Sequence, residues 1–407
     1  MKRFLLPCAL IPFLAGALWG GAPKEKPHDP PLYALSSADL DRARERVRLK
    51  DPAIQPALRE LLSDADKALQ LEPVSVMQKP LTAASGDKHD YFSMGPYWWP
   101  DPSKPDGKPF IRKDGLLNPS SKAGTDSIPL AVLSRSVEAL GLAYYLTGKE
   151  DYATQAARLM RVWFINADTR MNPHLNYGQA IPGLVDGRCI GIIETHKLIV
   201  LTHSVALLAD SKSWTTEDRS AFQSWLSSYL DWLVDSPLGK QEKAQLNNHG
   251  TWYDAQVAQL ALATGRRELA REVLTEALQT RLAFQVAPDG GQPHEIARTR
   301  PLDYSSFNLQ ALVTLACQAD AVGIDWWHYE TPDGRSLRKA LAFVAPCAVP
   351  GVAFIKEDIV APDRSSIRAL VVVAASHYDD PVFQTTLDQL RSEAFSAERW
   401  NLLVPAK

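Results

Sequence analysis

The sequence predicts an all-α chain: an α/α toroid, meaning an incomplete barrel of antiparallel helical hairpins, carrying a long Pro-rich lid loop. Three observations point there. Apolar residues recur at helical spacing through most of the chain beyond Ile128, while strand-like alternation is scarce. The helical runs come in pairs broken at single glycines, as at Gly148 and Gly265. The two breaks also echo each other: LAYYLTGKEDYA begins at Leu142 and LALATGRRELA at Leu260, each an apolar helix end, Thr-Gly, charges and a new helix. A glycine in that place suits the left-handed cap between antiparallel helices. Repeated hairpins of this kind stack into an arc or close into a toroid. The toroid is preferred by fold-level analogy with exported enzymes that hold chain-like substrates in a central cleft.

The elements follow in order. Lys2 and Arg3 precede an apolar run from Phe4 to Trp19 and the small residues Gly20, Gly21 and Ala22, the pattern of a secretory signal peptide. The run is short for a membrane span, which takes roughly 20 apolar residues. No other stretch reads as a span, so the chain is expected to be exported, periplasmic or secreted, and free of the membrane once residues 1–22 are removed. Residues 23–407 then form a single toroid domain, with a Pro-, Lys- and His-rich linker to about Tyr33. Helices are expected over Ala38–Leu49 and Ile54–Leu71. Pro73 to Ser127 shows no helical period and many Pro, Gly, Asp and Lys residues, and a segment that long without regular structure is usually functional. Further helices are expected over Ser134–Leu146, Tyr152–Ile165 and Ile190–Leu208. Another runs to Leu233 behind a Thr215 or Thr216 cap, with Glu217 and Asp218 in its first turn. Trp252–Ala263, Glu268–Phe284, Ser305–Val322, Leu337–Ala345, Ser366–His377 and Val382–Phe395 complete the set.

Composition narrows the function classes. Hydrophobic residues make up 45% and charged residues 22% of the 407, which excludes a mainly disordered chain, a collagen and a multi-span membrane protein. Lys+Arg is 44 against Asp+Glu at 47, a net charge of −3, so no nucleic-acid footprint is present. Signal cleavage removes Cys8 and leaves Cys189, Cys317 and Cys347, an odd number with no CxxC spacing, read as small buried apolar residues. There is no P-loop, no GxSxG elbow, no GxGxxG and no Cys/His metal array.

Four clusters concentrate chemistry-bearing residues. The first, Asn247-Asn248-His249-Gly250-Thr251-Trp252-Tyr253-Asp254, stands before a helix, yet capping needs one side chain rather than Asn-Asn-His in a row. The second is Gly290-Gly291-Gln292-Pro293-His294-Glu295-Ile296-Ala297-Arg298-Thr299-Arg300-Pro301-Leu302-Asp303-Tyr304, read as a loop or short strand. Its HEIAR stretch is not a zinc-protease motif, because Arg298 stands where the second His belongs. The third places Tyr97-Trp98-Trp99 in the Pro-rich loop, where aromatic faces can carry sugar rings. The fourth is His174-Leu175-Asn176-Tyr177-Gly178-Gln179 with Arg188 downstream.

Asn, His, Arg and Tyr together suit β-elimination on a uronic acid. The C5 proton lies α to a carboxylate, and its removal builds negative charge there that amide and guanidinium donors stabilise. A base takes that proton and an acid protonates the O4 leaving group, roles open to His and Tyr. A neighbouring Arg is expected to lower the Tyr pKa from about 10. Neither metal nor organic cofactor is required.

The NNHGTWYD run, the Arg298…Tyr304 pair and the GPYWWPDP loop resemble the alginate lyase superfamily of polysaccharide lyases, in the branch of glucuronan and polymannuronate lyases, over about Leu81 to Asn308. The resemblance implies an α/α toroid and an Asn/His/Arg/Tyr active site. In it Asn248 neutralises the carboxylate, His249 is general base or second neutraliser, Arg298 grips the carboxylate and Tyr304 is general acid, or base as well in a syn elimination. Arg300 is the rival for the Arg role. Tyr97, Trp98, Trp99, Asn176, Gln179, Arg188, Asn247, Tyr253, His294 and Arg300 are the expected substrate contacts. The implied substrate is an acidic polysaccharide, polymannuronate-rich alginate or glucuronan. Two rivals are an α/α-barrel glycoside hydrolase using Asp303 or Glu295, and a non-catalytic polyuronate-binding protein using Trp98 and Trp99.

Overall fold

The computed structural model describes residues 37–390 and 393–403, so the signal segment and most of the linker lie outside the described residues. The helices are α1 Ser37–Arg48, α2 Gln55–Leu69, α3 Ser127–Thr147, α4 Glu150–Met160, α5 Lys197–Ala206, α6 Thr216–Asp235, α7 Pro237–Lys243, α8 Asn248–Ala263 and α9 Arg267–Ala277. They continue as α10 Ala283–Gln285, α11 Pro293–Ile296, α12 Pro301–Asp320, α13 Leu337–Val344, α14 Ser365–His377, α15 Pro381–Leu390, α16 Glu393–Ser396 and α17 Trp400–Leu403.

Two layers build an incomplete α/α toroid. The inner helices α3, α5, α8, α12 and α14 each pack on the next in that order. Against them lie α2 and α4 on α3, α6 and α9 on α8, and α13 on α12. Burial follows the layers. Along α8 nearly every residue from Gly250 to Ala261 is buried, as is most of α12, because a helix enclosed on all sides needs no polar face. The outer α9 instead buries one stripe, Ala270, Val273, Leu274 and Ala277. The chain's end returns to its start: α17 packs on α1 and α2, and Arg399 pairs with Asp64 at 2.7 Å.

Local signals set the hairpins. Gly148 and Gly265 take positive φ of 70° and 78° in the tight helix–helix turns where they were expected. Thr215 caps α6 in a reciprocal box: its hydroxyl accepts from the Asp218 N–H, and the Asp218 carboxylate accepts from the Thr215 N–H. Other boundaries differ. The apolar stretch expected as one helix from Ile190 begins as a 3-10 turn, Cys189–His196, before α5. By length and composition Cys189–Ala206 also passes as a membrane crossing, which the sequence reading had not allowed; the fold uses it as a core wall, burying Leu198, Ile199 and Leu201. Cys189, Cys317 and Cys347 are free thiols.

The Pro-rich segment is less irregular than expected. It holds β1 Phe92–Met94, β2 Trp98–Trp99 and β3 Ile111–Arg112. β2 and β3 form an antiparallel ribbon, with Trp98 opposite Arg112 and Trp99 opposite Ile111. β1 pairs in parallel with β4, Tyr177–Ala180, from the fourth motif. At the root of the lid, the Lys79 ammonium meets the Asp126 carboxylate at 3.1 Å, both side chains almost fully buried. Burial pushes the Asp126 carboxyl up to about 7 against the opposing pull of Lys79. Asp126 also accepts from the Phe92 N–H at 2.9 Å, fixing the start of β1.

β4 reaches the toroid through glycine contact. A Cβ on Gly191 would stand 2.4 Å from the Gly178 carbonyl carbon, so the turn carrying Arg188 and the strand carrying Gln179 touch through bare backbone. Gly191→Ala is expected to cost about 1–3 kcal/mol, as overpacking of a tight contact does. Urea unfolding with a lowered midpoint and unchanged slope is the check; an unchanged midpoint would show that the two segments are not held this closely.

Candidate active site

The first motif is split by the start of a helix. Asn247 is the N-cap of α8, its side-chain oxygen accepting from the His249 N–H at 3.2 Å. Asn248 and His249 therefore lie in the first turn, not ahead of it as expected. Their side chains go to different partners. Asn248 is buried, and its backbone N–H and side-chain Nδ2 donate to the two Glu295 oxygens at 2.6 and 2.8 Å. His249 Nδ1 stands 2.7 Å from Glu242 Oε1. An ionised Glu242 can only accept, which assigns the proton to Nδ1 and leaves Nε2 as the basic nitrogen. Glu242 comes from the last turn of α7, is fully buried, and was not picked out from the sequence.

The second motif supplies the opposite wall. It folds as α11, a short link and the first turn of α12, with no strand. Arg298, in the link, lays its guanidinium 3.9 Å from the centre of the Tyr304 ring. The same guanidinium donates to Asp114 of the lid at 3.0 Å through Nη2 and 3.3 Å through Nε. Arg112 Nη2 donates to Asp114 at 2.6 Å. Burial works against the Asp114 charge, yet the two arginines hold its carboxyl below the ordinary range. The Tyr304 hydroxyl donates to the Tyr97 hydroxyl at 2.7 Å. Lid and toroid thus meet at one place, Asp114 on Arg298 and Thr299, and Tyr97 on Tyr304.

Tyr304 corrects the expectation about its acidity. Burial, reinforced by Tyr97, pushes the phenol well above its ordinary value, and the Arg298 charge offsets only part of that. The resting side chain holds its proton. Glu295, buried between the two walls, is likewise raised by burial; Asn248, Arg298 and His249 each favour its charge. Its two hydrogen bonds to Asn248 tie the second motif to the first.

The remaining predicted residues divide. Arg188 donates to the Gln179 carbonyl at 3.0 Å and to its side-chain oxygen at 2.8 Å, and lies 5.9 Å over the Trp98 ring. Gln179 holds a φ of +50°, uncommon for a non-glycine residue. Trp99 is spent inside the lid, donating to the Leu116 carbonyl at 3.1 Å beneath Lys113. Arg300 pairs with Asp303 on the wall of a cavity that also touches Tyr97 and Tyr304. Three expected contacts are not brought in. Tyr253 is buried in α8 with its hydroxyl on the Leu233 carbonyl at 3.0 Å. His294 is exposed and stacks on Phe284 at 5.7 Å. Asn176 is exposed and accepts from Trp232 Nε1 at 3.0 Å. The carboxylates of the hydrolase reading are spoken for as well, Glu295 by Asn248 and Asp303 by Arg300.

A toroid with a lid-covered cluster of His, Arg, Tyr and amide groups defines a class, the polysaccharide lyases. The comparisons agree. The family model described as alginate lyase matches residues 75–354, and the chain belongs to that family. An alginate lyase from Bacteroides ovatus is 38% identical, with a TM-score of 0.87, over 92% of this chain and 99% of that one. A substituted alginate lyase A1-III in complex with a tetrasaccharide is 16% identical at a TM-score of 0.59, over 95% and 99% of the two chains, a likeness of fold. Among curated protein sequences none matches. The protein is a polysaccharide lyase, and the hydrolase and non-catalytic readings are set aside.

The lid contact has a pH sign. A carboxyl lowered in the folded state adds stability above its ordinary pKa of about 3.9 and loses it as pH falls through the folded value. Asp114 is lowered, so the contact with Arg298 is whole at neutral pH. Asp114→Asn is expected to speed limited proteolysis within residues 100–118 at neutral pH. Equal cleavage rates would show that Asp114 does not tether the lid.

Proposed function

We propose that the protein cleaves a β-1,4-linked polyuronate by β-elimination, leaving a C4–C5 unsaturated uronate at the new non-reducing end. The observation that carries this is the Arg298–Tyr304 stack, with the Tyr304 hydroxyl held on Tyr97. It sets a fixed cation beside a protonated phenol, the pair needed to hold a carboxylate and protonate a leaving oxygen. His249, its Nδ1 held by Glu242, takes the C5 proton on Nε2. The electron pair released from C5–H forms the C4–C5 double bond as the C4–O4 bond breaks, and the Tyr304 proton goes to O4. Arg298 stabilises the charge that builds on the carboxylate. Asn248 reaches that carboxylate only by sharing its amide with Glu295, so it serves first to fix Glu295 between the walls. The alginate lyase names of the similar structures favour mannuronate- or guluronate-containing polymers, with glucuronan as the further candidate. The N-terminal pattern Lys2–Ala22 supports export, with the periplasm or the medium as the proposed site of action.

The test incubates the mature chain, with chelator present, on polymannuronate, polyguluronate and glucuronan separately, following the ultraviolet absorbance of the unsaturated uronate. A rise on at least one polymer is expected, and reducing ends without absorbance would contradict elimination. Tyr304→Phe keeps the ring under Arg298 but loses the proton, and is expected to lower kcat about 100-fold or more with the melting temperature little changed. Full activity in that variant removes Tyr304 from the mechanism.

A further inference from the structure

A cavity of 380 Å³ opens beyond the Tyr97–Tyr304 contact, in the hollow between the inner helices. That volume lies within the roughly 300–1,000 Å³ of small-molecule sites. Asn248, His249 and Arg298 do not line it, so it adjoins the reacting groups rather than containing them. Helix α12 shows how it was made. The helix is buried almost throughout, yet Asp303, Tyr304, Phe307 and Gln310 are only half-buried, and their spacing puts them on one face, toward the cavity. Phe307 and His196 offer it rings, packed 5.7 Å apart and each resting on the buried Trp252.

The charges on the wall are unevenly satisfied. Asp303 pairs with Arg300 and accepts from the Asp363 N–H at 3.1 Å. Asp363 accepts from the Ser365 N–H and hydroxyl at 2.9 and 2.7 Å. Glu138 faces Arg399. The arginines are less well served: Arg135 Nη1 and Arg300 Nε are buried donors with no hydrogen-bond partner. Arg135 projects from α3, across the cavity from α12. A buried guanidinium donor without an acceptor costs free energy comparable to a lost charged hydrogen bond. Both arginines nonetheless line the cavity, and a guanidinium there suits the planar carboxylate of an anionic group that enters it.

We propose that this cavity is a sugar subsite next to the scissile bond, in which Arg135 holds the carboxylate of the neighbouring uronate and Phe307 with His196 carries its ring. The inference rests on the lyase reading above and deepens it. Arg300, expected from the sequence as a substrate contact, acts here on the neighbouring sugar and not as the rival of Arg298. Binding at the subsite places the adjacent sugar against Tyr304, so the enzyme requires a second carboxylate one residue from the bond it breaks.

The test compares wild-type protein with Arg135→Gln and Arg135→Lys on uronate oligomers of defined length, reading KM and kcat separately and sizing the products. Loss of the charge in Arg135→Gln is expected to raise KM about tenfold or more and to shift the product lengths, with a smaller change in kcat. Arg135→Lys is expected to recover part of the KM, and its melting temperature checks that both variants are folded. Unchanged KM and product lengths in Arg135→Gln, with the wild type active, overturn the subsite. A fall in kcat alone that Arg135→Lys does not recover also overturns it, because a purely structural role predicts that pattern. Absence of unsaturated product from the wild type on every oligomer would instead sink the lyase reading itself.

Discussion

The active site depends on one junction, where the Arg298 guanidinium is shared between the Tyr304 ring and the Asp114 carboxylate. Tyr304 belongs to the first turn of an inner helix, Arg298 to the link just before it, and Asp114 to a loop 184 residues earlier than Arg298. A flat cation can take a ring on its face and a carboxylate at its edge at once, which an ammonium cannot do as well. That dual contact brings the lid over the toroid and fixes Tyr304 against Tyr97. In the proposed mechanism those same guanidinium donors, held here by the Asp114 carboxylate, are the ones that face the substrate carboxylate.

Everything else at the site supports that junction from behind. The buried Lys79–Asp126 pair fixes where the lid leaves the body, and removing one partner would leave an uncompensated charge at its root. The Gly178–Gly191 contact sets β4 and, through Gln179, the Arg188 that lies over Trp98. On the opposite wall, Glu242 and Glu295 orient His249 and Asn248. Glu242 holds the His249 ring and Glu295 holds the Asn248 amide, both from buried positions. The proposed chemistry is assembled from a lid, a helix start, a link and a short helix, held by an enclosed layer of helices.

The frame was legible because it is written locally. Gly148, Gly265 and the Thr215 cap mark turns through backbone preferences that act within a few residues. The helical hairpins followed from period, their closure into a toroid from analogy and resemblance, and the NNHGTWYD run with Arg298 and Tyr304 led to the region of the candidate site. What escaped was long-range or short. Strands of two to four residues carry no periodic signal, so β2 hid in a Pro-rich loop. The seven-residue α7, opened by Pro237, left Glu242 without a context. Asn248 was placed ahead of its helix because Asn247 alone does the capping. Tyr253 read as part of the motif, but the enclosure of α8 turns it into the core. The sign of the Tyr304 shift was misjudged because the sequence shows the neighbouring arginine and not the burial that outweighs it.

The central claim is that the bond is broken by elimination through Tyr304 and His249. Mass spectrometry of the fragments from the active polymer, beside the same digest of the Tyr304→Phe variant, tests it most directly. Elimination adds no water, so the account predicts that each bond broken leaves one fragment unsaturated at the non-reducing end and lighter by one water than the saturated oligomer of the same length, with little product from the variant. Saturated fragments only, each bond broken having taken up one water, would contradict it and would return Glu295 and Asp303 to consideration as hydrolytic groups.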